Sequence, residues 1–332
     1  MELDWNKIIG HEKQKQQLLA MLREGRLPHA LLFIGPDGIG KKMLGKTLAA
    51  AILCKQQDGP CDRCQSCQAM RLASHPDYYE VLPETRGKSA KVIRIEQIRE
   101  MQTVASRYPV LSSSRVVLID EAERMNEAAA NSLLKTLEEP EGQVTFILIT
   151  SARSSLLDTI VSRCMPVAFG MLPADEMAKA LQARGVAAED AAELSALADG
   201  SLGRAVMLYE NGGLALRNDA LEILSQLDTM DMDKLWQLAK EKGDWEREKL
   251  VEWFLYFNML LRDMLVLYED GASPLLYHQD RRAQLVSLLP RFPERRIFAM
   301  LGEVREMQRR LQANVNLRLQ MEGFLLRLRD LT

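Results

Sequence analysis

The sequence lacks a long uninterrupted apolar run. Its longest, residues 251–267, is broken by Glu252, Arg262 and Asp263 and is shorter than the roughly 20 residues that a helix needs to cross a bilayer. We therefore expect this stretch to be a buried helix. Charged residues already occur within positions 1–7, before any apolar run, which argues against a targeting signal. A cytoplasmic protein with no membrane partner is expected.

The sequence also lacks a basic excess. Net charge is −3 over 332 residues: positions 1–170 carry 22 Lys and Arg against 20 Asp and Glu, and positions 171–332 carry 21 against 26. No basic stripe is interleaved with aromatic residues, which argues against a zinc-dependent nucleic-acid module. The one basic run, at Arg86, Lys88, Lys91 and Arg94, is interpreted as a solvated loop. Contact with DNA must then be local or shared with partner subunits.

Histidines are few and scattered, whereas four of the five cysteines form one cluster. Cys54, Cys61, Cys64 and Cys67 have spacings that let four thiolates converge on one tetrahedral Zn²⁺ with no open position, so a structural zinc is expected. An iron–sulfur cluster and redox-active or free thiols remain alternatives, although Arg71-Leu72 stands where a ferredoxin run would reach its next cysteine. The remaining Cys164 is interpreted as packed, and His29 and His75 as turn or core residues.

Short β-rich runs without alternation are typical of a parallel sheet buried on both faces. They lie at 31–34, 115–119 and 145–149, with helical patterns at 12–24, 41–54, 95–107 and 126–139. We expect an α/β domain with a parallel sheet over residues 1–168, with the zinc module inserted at about 54–67.

After Pro166 the strand signals stop and helical ones continue to the end. Short helices are expected at 173–184, 188–198 and 202–210, separated by glycines. Later breaks fall near Gly243, at 271–274 and at 290–293. This predicts a small helical domain at 169–212 and an all-α domain at 213–332.

A phosphate loop follows the first strand and opens a helix. Gly35, Gly38 and Gly40 would let backbone N–H groups curl around phosphates, and Lys41 would reach the β and γ oxygens. The next residue usually offers Mg²⁺ a hydroxyl, but here it is Lys42. A merely structural glycine-rich turn remains the alternative. Efficient hydrolysis of ATP is not expected.

Carboxylates follow the next strand at Asp120 and Glu121. In P-loop ATPases the first helps to hold Mg²⁺ and the second polarises the attacking water. Acids at a strand end can also simply cap the next helix. Thr150 ends the following strand, where a polar side chain can sense a γ-phosphate.

Arg163 follows a short helical segment. An arginine here can reach a phosphate bound by a neighbouring subunit and stabilise charge in the transition state. A solvated surface arginine is the ordinary alternative.

Together these stretches resemble the clamp-loader branch of the AAA+ family, in bacterial DNA polymerase III, over nearly the whole chain. The resemblance rests on Ile8–His11, Leu27–Phe33, the phosphate loop, Ile119–Ala122, Asn131–Pro140, Ser162–Cys164, Gly200–Arg204 and Asn314–Leu317. It implies a ring with a motor subunit and a delta subunit that loads the sliding clamp on primer–template DNA. It further implies that residues 1–168 form a RecA-like P-loop domain, that 169–212 form a lid and 213–332 a collar, that Arg163 acts in trans, that Arg204 is the second sensor, and that a zinc module is present.

Two residues depart from that pattern. Lys42 replaces the Mg²⁺-binding hydroxyl, which favours a non-motor subunit of the polymerase holoenzyme over an ATP-hydrolysing motor subunit or related remodeller. Asp158 stands where the family usually has proline, with no evident consequence. ATP and Mg²⁺ therefore remain open as cofactors, and Asp120 and Glu121 as vestigial.

Overall fold

The computed structural model describes residues 3–56, 59–85, 91–140, 142–210, 212, 214–311 and 316–331. Arg86, Lys88, Gly213, Asn314 and Val315, singled out in the sequence, lie outside the described residues. The chain divides into two compact units. Unit 1 holds Met1–Glu176 and Gly200–Gly203, and unit 2 holds Met177–Asp199 and Arg204–Thr332. The three domain boundaries expected from sequence remain a prediction.

Unit 1 contains a parallel five-stranded sheet. Its strands are β1 (Ala30–Ile34), β2 (Tyr78–Val81), β3 (Arg115–Ile119), β4 (Val144–Thr150) and β5 (Met165–Ala168). Their spatial order is β2-β3-β4-β1-β5. The predicted strands are the central β1, β3 and β4, whereas the edge strands β2 and β5 were not predicted. Because β5 continues past Pro166, the expectation that strands end there was slightly wrong.

Helices cover both faces of this sheet. They are α1 (Glu12–Arg23), α2 (Lys41–Leu53), α3 (Gln65–Arg71), α4 (Ile95–Ala105), α5 (Glu127–Glu138) and α6 (Asp158–Val161). Successive strand residues point to opposite faces, so Leu32 packs in one core with α4 and α5, and Leu31 in the other with α1 and α2. The central strands are therefore buried on both faces of the sheet, which explains why they carry apolar runs.

The rest of the chain is helical. Its helices are α7 (Ala174–Gln182), α8 (Ala188–Leu197), α9 (Leu202–Glu210), α10 (Leu214–Gln226), α11 (Met232–Gly243), α12 (Arg247–Glu269), α13 (Arg282–Leu288), α14 (Glu294–Leu311) and α15 (Leu317–Asp330). The parallel sheet followed by helices confirms the predicted fold class.

Helix α12 forms the centre of unit 2. The expected apolar stretch lies within it and is buried, with Trp253, Phe254 and Phe257 fully shielded from solvent. Phe324 of α15 packs edge-on against Phe254, with ring centroids 5.0 Å apart. In the described part of the chain, none of the helices combines the length and apolarity needed to span a membrane.

Candidate functional site

The phosphate loop joins β1 to α2. Gly38 and Gly40 have φ values of 72° and 100°, a left-handed region that favours glycine. A Cβ at Gly35 would lie 2.5 Å from the Phe169 carbonyl oxygen. The Gly35 N–H donates to the carbonyl of Thr150 over 3.3 Å. The loop is thus set against the end of β4, where the expected sensor lies.

Lys41 turns back onto this loop. Its Nζ donates to the carbonyl oxygens of Gly35 and Pro36, each over 2.5 Å. Burial lowers the pKa of Lys41, although Asp37 and other acids oppose the shift. The ammonium therefore lies within the glycine-rich loop, as the motif requires.

Lys42 bridges two carboxylates. Its Nζ lies 3.0 Å from Oε1 of Glu80 and 3.0 Å from Oδ2 of Asp120. Burial alone would lower the pKa of Lys42, but the hydrogen bonds to both carboxylates outweigh it and raise the pKa. These residues do not fit Mg²⁺, because an ammonium offers a cation no ligand and already engages the acid expected to hold it.

The two acids of the expected catalytic pair have different surroundings. Asp120 follows β3, and its other oxygen accepts the Glu121 N–H over 3.1 Å. Glu121 has a φ of 49° and pairs with Arg124, while its side chain does not cap the following turn. The simple capping interpretation of Glu121 is therefore not supported.

Glu123, which was not predicted from the sequence, contacts Ser151, the residue after the expected sensor Thr150. Its Oε1 accepts from the Ser151 hydroxyl over 2.6 Å and from the Ser151 N–H over 3.2 Å. Burial opposes its charged form, but these bonds outweigh burial and lower the pKa of Glu123. Thr150 is fully buried, and its hydroxyl accepts the Ala152 N–H over 3.1 Å. The only sequence signal for Glu123 was its position two residues after Glu121.

Arg163 is held within its own chain. It pairs with Glu138 at the end of α5, and its Nη1 donates to the Thr159 carbonyl over 2.9 Å. The exposed fraction of its side chain is 33%. The neighbouring Cys164 is buried in the core, which raises its pKa to about 11, so its thiol is packed and protonated.

Arg204, the expected second sensor, belongs to unit 2. Its Nη2 lies 4.0 Å from the sulfur of Met259 in α12. Glu252 of the same helix is buried and interacts electrostatically with Arg204, although burial raises the pKa of Glu252 overall. The guanidinium is therefore directed towards α12 in this unit.

The four clustered cysteines converge as the spacing predicted. Their sulfurs all lie within 4.8 Å of one another, with 3.9 Å between Cys54 and Cys64 and 4.0 Å between Cys61 and Cys67. Zinc bonded to sulfur at about 2.3 Å in a tetrahedron places the sulfurs about 3.8 Å apart. The donor set therefore fits a tetrahedral thiophilic ion.

Backbone N–H groups support the thiolate forms of Cys61 and Cys64 and lower their pKa values, whereas burial raises the pKa values of Cys54 and Cys67. The N–H groups of Cys64 and Cys67 donate to Cys61 and Cys64 respectively, each over 3.4 Å. Burial disfavours the thiolate of Cys64, but N–H donors from Lys55 and Cys67 outweigh it and lower its pKa to about 6. Such hydrogen bonds to ligands are typical of metal sites.

A buried polar network joins this cluster to the end of α2 and to the segment before β2. Ser66, between two of the cysteines, donates to the Leu53 carbonyl over 2.6 Å and contacts His75 Nε2 at 2.7 Å. Since His75 Nδ1 accepts the Asp77 N–H over 3.0 Å, its Nε2 carries the proton. Burial lowers the pKa of His75 and keeps it neutral. His75 is thus a core residue and not a ligand.

Two family models match the chain. One, described as DNA polymerase III, delta subunit, matches residues 10–173. The other, described as DNA polymerase III, delta subunit, C terminal, matches residues 213–330. Between them they include the phosphate loop, the cysteine cluster, Arg163 and most of unit 2.

Curated relatives agree with these models. DNA polymerase III subunit delta' of Pseudomonas aeruginosa is 32% identical over 306 residues, covering 90% of this chain and 90% of that protein. The delta' subunit of Escherichia coli is 29% identical over 326 residues, covering 94% and 92%. The tau/gamma subunit of Haemophilus influenzae is 29% identical over 271 residues, covering 72% of this chain but 38% of that protein. The chain therefore belongs to the DNA polymerase III delta' family, within the clamp-loader branch of the AAA+ proteins.

Proposed function

We propose that this chain is the non-motor assembly subunit of a DNA polymerase III clamp loader. It joins a motor subunit and a delta subunit to place the sliding clamp on primer–template DNA. The observation that carries this assignment is the Lys42–Asp120 ion pair of 3.0 Å, because a motor needs Asp120 for Mg²⁺. The competing function, an ATP-hydrolysing motor subunit or related remodeller, has support in the tau/gamma relative but conflicts with this pair.

Arg163 acts on a nucleotide bound by the adjacent subunit. Its guanidinium can fork onto two phosphate oxygens and stabilise the charge that grows during phosphoryl transfer. Glu138, its partner within the chain, must release it when the phosphate arrives. That exchange costs little, because a half-exposed ion pair contributes about 0–1 kcal/mol.

The phosphate loop of this chain retains nucleotide binding without turnover. Gly35, Gly38, Gly40 and Lys41 hold the phosphates, with Thr150 as a sensor. Asp120 and Glu121 are vestigial as catalytic groups, because Lys42 and Arg124 engage them.

Zinc has a structural role in this chain. Cys54, Cys61, Cys64 and Cys67 supply four ligands and leave no position for water. The metal stabilises the segment that links α2 to α3.

In the family arrangement the lid spans 169–212 and the collar 213–332, and the collar joins the subunits.

The decisive experiment is replacement of Arg163 by Ala in a reconstituted clamp loader. DNA- and clamp-stimulated ATP turnover should fall, and clamp loading with it. Fingers can supply about 10³-fold in rate, but only one site of several loses its finger, so the loss should be partial. Lys should not rescue fully, because a point charge cannot reproduce the fork.

The matched control is Arg153→Ala, which removes an exposed arginine from the segment after β4. Both variants should remain folded, zinc-loaded and assembled. Equal turnover and loading by the Arg163→Ala complex and the wild type would show that Arg163 is an ordinary surface residue.

A further inference from the structure

Four charged side chains form a balanced group beside the phosphate loop. Lys42 bonds to Glu80 and Asp120 over 3.0 Å each, and Lys46, one helical turn later, bonds to the second oxygen of Glu80 over 2.8 Å. Two ammonium groups thus face two carboxylates. This group is internally neutral before any ligand arrives.

Three elements of unit 1 hold the group in place. Both lysines project from α2, Glu80 lies in β2, and Asp120 directly follows β3. The Asp120 N–H donates to the Val81 carbonyl over 3.1 Å, which places Asp120 beside the end of β2. The bridge therefore joins α2 to two adjacent strands at the edge of the sheet.

Lys42 is charged within this bridge. Hydrogen bonds from its ammonium outweigh the effect of burial and raise its pKa, while Glu80 has a lowered pKa because Lys46 and Lys42 outweigh its own burial. A cation at Lys42 repels a second cation at the same Asp120 oxygen. Mg²⁺ also demands oxygen ligands in a near-octahedral arrangement. Other phosphate loops supply one of these ligands, a hydroxyl, at the position that Lys42 occupies here.

We propose that the Lys42 ammonium takes the place of the divalent ion, so that the loop binds the polyphosphate of a nucleotide without Mg²⁺. This inference rests on the nucleotide binding proposed above. Lys42 and Lys46 cancel the charge of Asp120 and Glu80, which would otherwise repel the phosphates. Lys41 and the N–H groups of the loop then bind the phosphates. Asp120 and Glu80 hold the ammonium as they would otherwise hold the ion.

Equilibrium binding of ATP to the full isolated chain tests this, measured by calorimetry in excess EDTA and in excess Mg²⁺. The wild type should bind with Kd values within about twofold of each other. Lys42→Thr restores the hydroxyl and removes the built-in cation, so its affinity should be at least about tenfold higher with Mg²⁺ than in EDTA. Lys42→Met supplies neither cation nor hydroxyl and should bind weakly in both.

Lys13→Ser is the matched control, because it removes an exposed lysine from α1 and leaves all four charged groups intact. It should bind ATP without Mg²⁺ as the wild type does. Zinc content and circular dichroism should be unchanged in every variant. The inference is overturned if wild-type binding requires Mg²⁺, if the wild type does not bind ATP in EDTA, or if Lys42→Thr is equally indifferent to Mg²⁺. Each of these results leaves the role of Arg163 in the complex untouched, because that role is measured by turnover of the assembled loader.

Discussion

Gly59 lies against the first cysteine of the cluster. A Cβ at this position would stand 2.4 Å from Cys54 Cβ and 2.8 Å from its sulfur, closer than packed atoms allow. Gly59→Ala should therefore push Cys54 away from the other three sulfurs. We expect zinc affinity to fall by about tenfold or more, measured by competition with a chromogenic chelator.

Gly170→Ala is the control for this prediction, since a Cβ there meets no atom within 4 Å. It should bind zinc as the wild type does. A second measurement, the metal content of a Cys61→Ser, Cys64→Ser double variant, should fall from about one zinc per chain to none. Retained metal in the double variant would contradict the four-cysteine site.

At the residue scale, the local parts of the site were predictable and the partners were not. The cysteine spacing and the glycines of the phosphate loop are short-range patterns, and their geometry follows from few residues. Glu80, Glu123 and Glu138 gain their roles only through the contacts to Lys42, Ser151 and Arg163 that tertiary folding creates. Nothing in their immediate sequence distinguishes them from solvated acids.

At the element scale, the two missed strands share one cause. Strands β2 and β5 have four residues each and lie at the edges of the sheet. An edge strand is partly exposed and tolerates proline, so the half-buried Tyr78–Val81 and the proline-containing Met165–Ala168 lack the apolar runs of the centre. The central strands carry continuous apolar runs and the long helices carry helical periodicity, and both were predicted.

Helix α12 contributes a buried carboxylate, Asp263, that binds the segment at Tyr277 and His278. Asp263 is fully buried and accepts the N–H groups of Tyr277 and His278 over 3.0 and 2.8 Å, and the His278 ring Nδ1 over 2.8 Å. Asp263→Asn places an amide against these donors. Unfolding free energy should fall by about 3 kcal/mol, as for other broken buried pairs, measured by urea unfolding followed through tryptophan fluorescence.

The control is Asp270→Asn, which changes an exposed acid just beyond the same helix and should cost less than about 1 kcal/mol. The unfolding free energy at low pH provides a second measurement. Burial opposes the charge on Asp263, but hydrogen bonds from His278 and Tyr277 outweigh it and lower its pKa. Its contribution is complete above about pH 4, the usual value for Asp, and is lost as pH falls through the lower folded value. The variant should lose less stability than the wild type over that range.

At the scale of the whole molecule, we propose that the chain combines an arginine that acts on a neighbouring subunit with a nucleotide site that lacks a place for Mg²⁺. The parallel sheet with its helical continuation was predictable from the sequence, as was membership of the clamp-loader branch. The domain boundaries stay a prediction. Only residues 174–176 and Gly200–Gly203 of the predicted lid segment that the helices occupy lie in unit 1, and the rest of α7, α8 and α9 lies in unit 2. Local helix signals do not encode which core a short helix joins.

The isolated chain should therefore show negligible Mg²⁺-dependent ATP turnover. Lys42 engages the acid that a motor uses for its metal, and without bound metal the barrier to phosphoryl transfer is not lowered. Steady-state phosphate release should match that of the Lys41→Ala variant, which removes the loop lysine. Added to motor and delta subunits, the same wild-type preparation should raise DNA- and clamp-stimulated turnover, which shows that the chain is active as a subunit. Robust turnover by the chain alone that Lys41→Ala abolishes would instead identify it as a motor.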